Sequence, residues 1–313
     1  MQGAAGTKPA HSRAAGGGKV SAMELNHEEV KTPPAPAASI VLLRDAPGGV
    51  EVLMLKRHAS SSVLGGAHVF PGGKLDREDT DAALLARLDR EPEMLRAALG
   101  EPELGALEAA GLFVAAMREA YEEAGLLFTR GLASAREGLL DRRHAEGFSF
   151  GRMLADLSLE LDTGRLVPWS RWITPKVPSV TARRFDTRFF VAMADDGAEI
   201  RHDDHEAVES AWLRPRDALE SYWEGRMMLA PPQIMSLAGL SRHVSARDVL
   251  EQARAGGPVL IEPHSCQIDG ERVVCYPGDE RHPVASRALA GPSRLVFRNR
   301  RFEPFDGFDA FFR

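Results

Sequence analysis

An α/β fold is what this sequence predicts, and three observations predict it. Short apolar runs of strand length alternate with longer stretches of helical period along the chain. One stretch, from about Leu107 to Ala124, sets Leu112, Phe113, Ala116 and Met117 on one face and gathers acids near its end. A length of 313 residues, 44% of them hydrophobic and 27% charged, is enough to bury a full core without staples.

The elements follow in order. Residues 1 to 36 are rich in Ala, Gly and Pro without periodic apolar positions, so a disordered tail is expected, with Met23 as an alternative start. Ser39 to Arg44 and Val50 to Lys56 flank Asp45-Ala46-Pro47-Gly48-Gly49 and read as two strands around a turn. Ala67 to Phe70 is a third extended run, leading into Pro71-Gly72-Gly73. Residues 80–108 read as two short helices, with breaks at Pro92 and at Gly100-Glu101-Pro102. The long helix then runs to Ala124, where Gly125 is placed as its cap. A helical piece at 148–159, a strand from Arg184 to Ala192 and the short run Ala211-Trp212-Leu213 follow, then a helix near Pro215. Within the last stretch, Ser265 to Tyr276 has strand-turn-strand character around Asp269-Gly270.

Composition excludes several function classes. A net charge of -6 and a pI near 6.0 do not suit a general nucleic-acid or membrane-surface binder. No run reaches the length of a membrane span, and no basic segment precedes an apolar core at the start. Two cysteines make no disulfide framework and fit a reducing, cytoplasmic setting. The terminal Phe311-Phe312-Arg313 is not a peroxisomal tripeptide. His264, Cys266, Cys275 and His282 lack a tight Cys-x2-Cys pair, so two cross-strand thiols are expected there in preference to zinc.

The chemistry concentrates in Arg118-Glu119-Ala120-Tyr121-Glu122-Glu123-Ala124-Gly125-Leu126. Glu119, Glu122 and Glu123 stand at i, i+3 and i+4, so a helix gathers three repelling carboxylates on one side. A hard divalent cation relieves that repulsion, since carboxylate oxygens are its preferred ligands. A solvated acidic face is the commoner use of such residues, and the surrounding motif decides against it.

That motif resembles the Nudix family signature: glycine, five residues, Glu, seven residues, then Arg-Glu-apolar-x-Glu-Glu-x-Gly-apolar. Residues 118–126 fit its second half, and Gly73 takes its glycine within Phe70-Pro71-Gly72-Gly73-Lys74-Leu75-Asp76. Asp79 stands where the family usually has Glu, and Arg118 follows it by 39 positions instead of 8, an insertion of 31 residues. Inserted signatures of this kind are similar to the peroxisomal-type CoA diphosphatase branch.

The resemblance implies a Nudix α/β/α sandwich with a mixed β-sheet over 37–240, a helical insertion at 80–108 and a C-terminal extension at 241–313 packed on it. It further implies a small anionic substrate, no nucleic acid or membrane, and Mg2+ or Mn2+ held by Gly73, Glu119, Glu122 and Glu123, with Arg118 orienting Glu119 and the turn. A further base is expected from the loop before Trp212, with Glu206 first and Glu209 second. Arg57, Arg184 and Arg188 are the implied substrate-binding cations, and Ala230-Pro231-Pro232-Gln233 is similar to the same branch. His58, Ser62 and Leu55 depart from the CoA-type pattern preceding Phe70. CoA or acyl-CoA is the expected substrate; ADP-ribose, NADH or nucleotide sugars, or a non-catalytic ligand sensor, are the rivals. A lid or a homodimer contact are the two roles open to the insertion.

Overall fold

Strand β1 (Ala35–Ala46) is buried on both faces, because successive side chains point to opposite sides and both sides are apolar. Ala38, Ile40 and Leu42 enter one core, while Val41 and Leu43 enter a second. The computed structural model describes residues 25–61, 63–130, 147–178, 183–195, 200 and 207–313. Residues 1–24 of the expected disordered tail lie outside the described residues; residues 25–36 depart from that expectation, since Val30 N–H donates to the Lys176 carbonyl at 2.8 Å and β1 already starts at Ala35.

β1 turns through Pro47-Gly48 into β2 (Gly49–Arg57), with Gly48 and Gly49 at φ 113° and 121°, where a side chain would be strained. The two strands pair only from Leu43↔Val52 to Ala46↔Gly49. Beyond that stretch, β3 (His68–Val69) pairs with β2, and β4 (Gly72–Lys74) pairs with β1 at Ala37 to Ser39. The segment carrying Gly72 and Gly73 therefore fills the gap where the two central strands part.

The main sheet is mixed, and β5 (Thr129–Arg130) and β6 (Glu160–Leu161) form a separate antiparallel pair. β8 (Phe185–Met193) runs parallel to β1, β7 (Val167–Ile173) antiparallel to β8, and β10 (Val259–Ile261) parallel to β7. β9 (Ala207–Leu213) pairs with β2. Helix α3 (Ala106–Ala124), with α1 (Ala82–Leu85), α2 (Pro92–Leu99) and α4 (Phe150–Asp156), covers one face. Helices α5 (Pro215–Trp223), α6 (Pro231–Leu240) and α7 (Ala246–Gly256) cover the other. The result is the α/β/α sandwich with a mixed sheet. Phe113 of α3 meets Phe190 of β8 at 4.7 Å between ring centres, a contact whose truncation to alanine costs about 3–5 kcal/mol.

Local chemistry sets the boundaries. Pro92 opens α2 at its first turn, where no donor is needed, and Gly100 ends it in the left-handed region at φ 68°. Ser149 caps α4, its hydroxyl accepting from the Arg152 N–H. The β11–β12 hairpin (His264–Ile268 and Glu271–Cys275) turns on Asp269-Gly270, both at positive φ, as the sequence predicts.

Three features depart from the sequence reading. β7 was not expected, since Pro168 interrupts it; the strand accommodates that proline with a register shift between Pro168 and Ser170. β13 (Arg294–Arg298) and β14 (Arg301–Glu303) extend the hairpin into a four-stranded antiparallel sheet. Their turn places Asn299 and Arg300 at positive φ, so no glycine announces it. Past residue 240, α7 and β10 join the main sandwich, and Tyr222 of α5 exchanges two 2.8 Å hydrogen bonds with the Phe302 backbone. No helix among the described residues is long and apolar enough to cross a membrane.

Candidate active site

The last two turns of α3 bring the acidic motif to the β4 corner. Gly125 ends the helix at φ 74°, its N–H donating to Tyr121 O while Leu126 N–H donates to Ala120 O. Opposite lies the Gly72-Gly73 backbone, packed so closely that side chains are excluded. A β-carbon on Gly73 would stand 2.1 Å from Glu119 Oε1, and one on Gly72 would stand 2.6 Å from Ala38 O. Glu123 accepts the Gly72 N–H at 3.0 Å. The acidic helix and the bare-backbone corner thus meet through two separate glutamates.

Arg118 organises the remaining carboxylates. Its Nε and Nη2 donate to Asp79 at 2.9 and 3.1 Å, and Nη1 donates to Glu119 at 2.8 Å and Glu122 at 2.9 Å. Nη2 also donates to the Lys74 carbonyl at 3.1 Å, binding helix, insertion stem and β4 together. Asp79 is fully buried and also accepts the Asp76 N–H at 2.8 Å. Burial opposes the charge on Arg118, but the Asp79 hydrogen bond and the charges of Glu119, Asp79 and Glu122 outweigh it and hold the guanidinium protonated. Burial raises the Glu122 carboxyl above the usual range; Arg118 counters this, while Asp79 and Asp76 add to it.

The corner opens into a cavity of about 610 Å³. Gly72, Gly73, Lys74, Arg118, Glu119 and Glu122 form its polar end. Phe70, Trp172, Phe185, Phe189, Pro231 and Val274 form an apolar wall, and Arg57 and Gln233 also line it. Among the described residues, no three His, Cys, Asp or Glu side chains are already gathered as a metal cage. The donor chemistry nevertheless fits a hard cation: carboxylate oxygens stand against a backbone corner that a single Cβ would block.

The other expected residues are placed unequally. Arg57 reaches the cavity, and its Nε is buried without a hydrogen-bond partner. Arg188 does not: it is 3% exposed and clamps Glu101 at 2.9 and 2.5 Å and Asp186 at 3.1 Å, so it ties the insertion to β8 instead of meeting a ligand. Arg184 is committed to the Thr174 carbonyl at 2.9 Å and does not line the cavity. Glu209 projects from β9 toward Lys56 at 3.7 Å, away from the corner. Glu206 and its neighbours His202 to His205 lie outside the described residues, as does Ser62. Glu123 stabilises the corner without lining the cavity.

Sequence reasoning assigned no role to Asp79, Asp76, Trp172 or Gln233. The capping box linking Asp76 and Asp79 around the turn Arg77–Thr80 was the available signal for the first two. Cys266 and Cys275 are free thiols with sulfurs 3.8 Å apart. The His282 ring is occupied by the Glu262 carbonyl and the Val284 N–H.

Residues 28–240 match the domain family described as the NUDT19 Nudix domain. Human acyl-coenzyme A diphosphatase NUDT19 is 31% identical over 311 residues, covering 83% of this chain and 78% of its own length. Putative nudix hydrolase 7 of Caenorhabditis elegans is 28% identical over 269 residues, covering 84% of this chain and 79% of its own. A Nudix hydrolase from Alicyclobacillus acidocaldarius superposes with a TM-score of 0.59 at 27% identity, over 73% of this chain and 98% of that one.

Proposed function

This chain belongs to the Nudix hydrolase family, in its CoA diphosphatase branch, and on that premise we propose that it hydrolyses the diphosphate of CoA or an acyl-CoA with Mg2+ or Mn2+ at the Gly73–Glu119 corner. The carrying observation is the placement of that corner, with its carboxylates, at the polar end of a cavity whose other wall is apolar.

Gly73 with Glu119, Glu122 and Glu123 would hold the cation. When bound, it neutralises charge on the diphosphate and lowers the pKa of water. Arg118 keeps Glu119 and Glu122 aimed at the corner and is itself held by Asp79 behind them. Arg57, which lines the cavity and whose buried Nε has no partner, supports an anchoring role toward a substrate phosphate. Glu206 is the proposed base, by its position before Trp212. Water attacks one phosphorus, the bridging P–O bond breaks, and a phosphopantetheine-type product leaves with an adenosine bisphosphate. Residues 37–240 would form the hydrolase unit and 241–313 its extension, which reaches the cavity through Pro263 and Val274.

Purified full-length protein with Mg2+ or Mn2+, offered CoA, acyl-CoAs, NADH, ADP-ribose and nucleotide sugars, tests this. The expected result is a preference of at least about tenfold in kcat/KM for the CoA species. Equal rates across the panel would remove the substrate assignment.

A further inference from the structure

We propose that Gln233 recognises an amide of the substrate's pantetheine arm, its Oε1 accepting the N–H of one secondary amide. The inference rests on the CoA reading above and adds to it the residue that distinguishes this arm from other groups on a diphosphate.

Gln233 is the third residue of α6 and lines the cavity beside Pro231 and Pro232. It is 7% exposed, yet its Oε1 is buried and has no hydrogen-bond partner. Local sequence explains the vacant acceptor. The first turn of a helix normally offers free N–H groups, but the two positions before Gln233 are prolines, which have none. The indole N–H of Trp172, on the same cavity wall, is already given to Ser170 Oγ at 3.2 Å. Phe70, Phe189 and Pro231 offer no donor at all.

A buried acceptor in such surroundings is costly unless a ligand supplies a donor. A secondary amide supplies one such donor, and since its N–H and C=O point to opposite sides in the trans form, the Gln233 oxygen takes the N–H alone. The apolar wall suits the methylene segments on either side of such an amide. A phosphate would not satisfy this oxygen, since it brings acceptors only. CoA carries two secondary amides on a chain leading away from its diphosphate, which matches a polar corner continued by an apolar wall with one amide-reading group.

The test uses full-length protein, wild type and Gln233→Met, with Mg2+. Substrates are CoA and an adenosine diphosphate esterified to a plain alkyl chain of matched length. Product inhibition by 4′-phosphopantetheine and by AMP is measured alongside. The substitution should lower the ratio of kcat/KM for CoA over the alkyl ester by about tenfold, the loss of one hydrogen bond. Inhibition by phosphopantetheine should weaken by a similar factor relative to inhibition by AMP. The melting temperature should hold or rise, because an unpartnered acceptor has been removed. Gln233→Asn, which withdraws the amide by one methylene, gives the same reading should the methionine variant misfold.

An unchanged ratio, or wild-type protein that phosphopantetheine does not inhibit, would overturn the assignment. A wild-type enzyme with no preference for CoA over NADH and ADP-ribose marks instead the failure of the underlying substrate reading. The inhibition ratio reports on Gln233 in either case.

Discussion

The Asp79 carboxylate receives the Arg118 guanidinium at 2.9 Å, although the two residues are 39 positions apart. Helices α1 and α2 are spliced between them, yet the fork that orients Glu119 and Glu122 closes as though the intervening chain were absent. The insertion leaves from the turn Arg77–Thr80 and returns at the start of α3, so it lengthens a connection without moving the corner.

Arg118 is the cation that makes this burial tolerable. Arg118→Met strands Asp79, which is fully buried, together with Glu119 and Glu122. The expected cost is about 3–5 kcal/mol, read by denaturant titration. A loss below about 1 kcal/mol would show that the network is held some other way.

Gly73→Ala places a methyl 2.1 Å from Glu119 Oε1, so carboxylate or strand must shift. If Glu119 acts as proposed, a displacement of about 1 Å there lowers turnover roughly 100-fold. Gly256→Ala, where a β-carbon meets nothing within 4 Å, is the control and should retain wild-type rates. Equal rates in the two variants would contradict the close-approach argument.

The arginines separate by role. Arg57→Met should raise KM by about tenfold with little change in stability, because Arg57 lines the cavity and its Nε has no partner to lose. Arg188→Met should instead lower stability by about 1–3 kcal/mol, since Glu101 and Asp186 lose one buried partner but keep Arg171. Kinetics and chemical unfolding on the two variants together check the division. The opposite pattern would restore Arg188 as a substrate contact.

His68 makes folding sensitive to acid. Burial, then the neighbouring Lys56, pushes its pKa down to about 4, against weaker opposition from Glu209 and the Met228 carbonyl. The unfolded chain therefore binds this proton more tightly than the folded one, and stability falls as pH drops from about 6.5 through about 4. The contribution is roughly 3 kcal/mol. Unfolding curves of His68→Leu should show that share of the acid loss removed. Parallel losses in variant and wild type would assign the acid sensitivity to other groups.

Much of this was legible beforehand. The helix bearing Glu119, Glu122 and Glu123 declares itself by apolar spacing and by Gly125, and the Gly72-Gly73 corner by composition. The sandwich was implied by the resemblance to the Nudix family, and the apolar runs of β1 and β2, buried in the sheet, accord with it. Other features were hidden because they depend on contacts across the chain. Nothing local reveals that Arg188 would meet Glu101 inside the protein, since an arginine on an alternating strand reads as solvated or ligand-facing. β7 was concealed by Pro168, whose cost is absorbed by a bulge that only the paired strand discloses. The unpaired oxygen of Gln233 arises from its two preceding prolines, a pattern legible in sequence, but its cavity position is not.

Mn2+ titration of metal-free protein by calorimetry tests the central proposal most directly, with wild type compared to Glu119→Gln and Glu122→Gln. The proposed cation site at the Gly73 corner predicts binding to wild type and an affinity loss of at least about tenfold in each variant. Wild-type protein that takes up no Mn2+, or variants that bind it equally well, would contradict it.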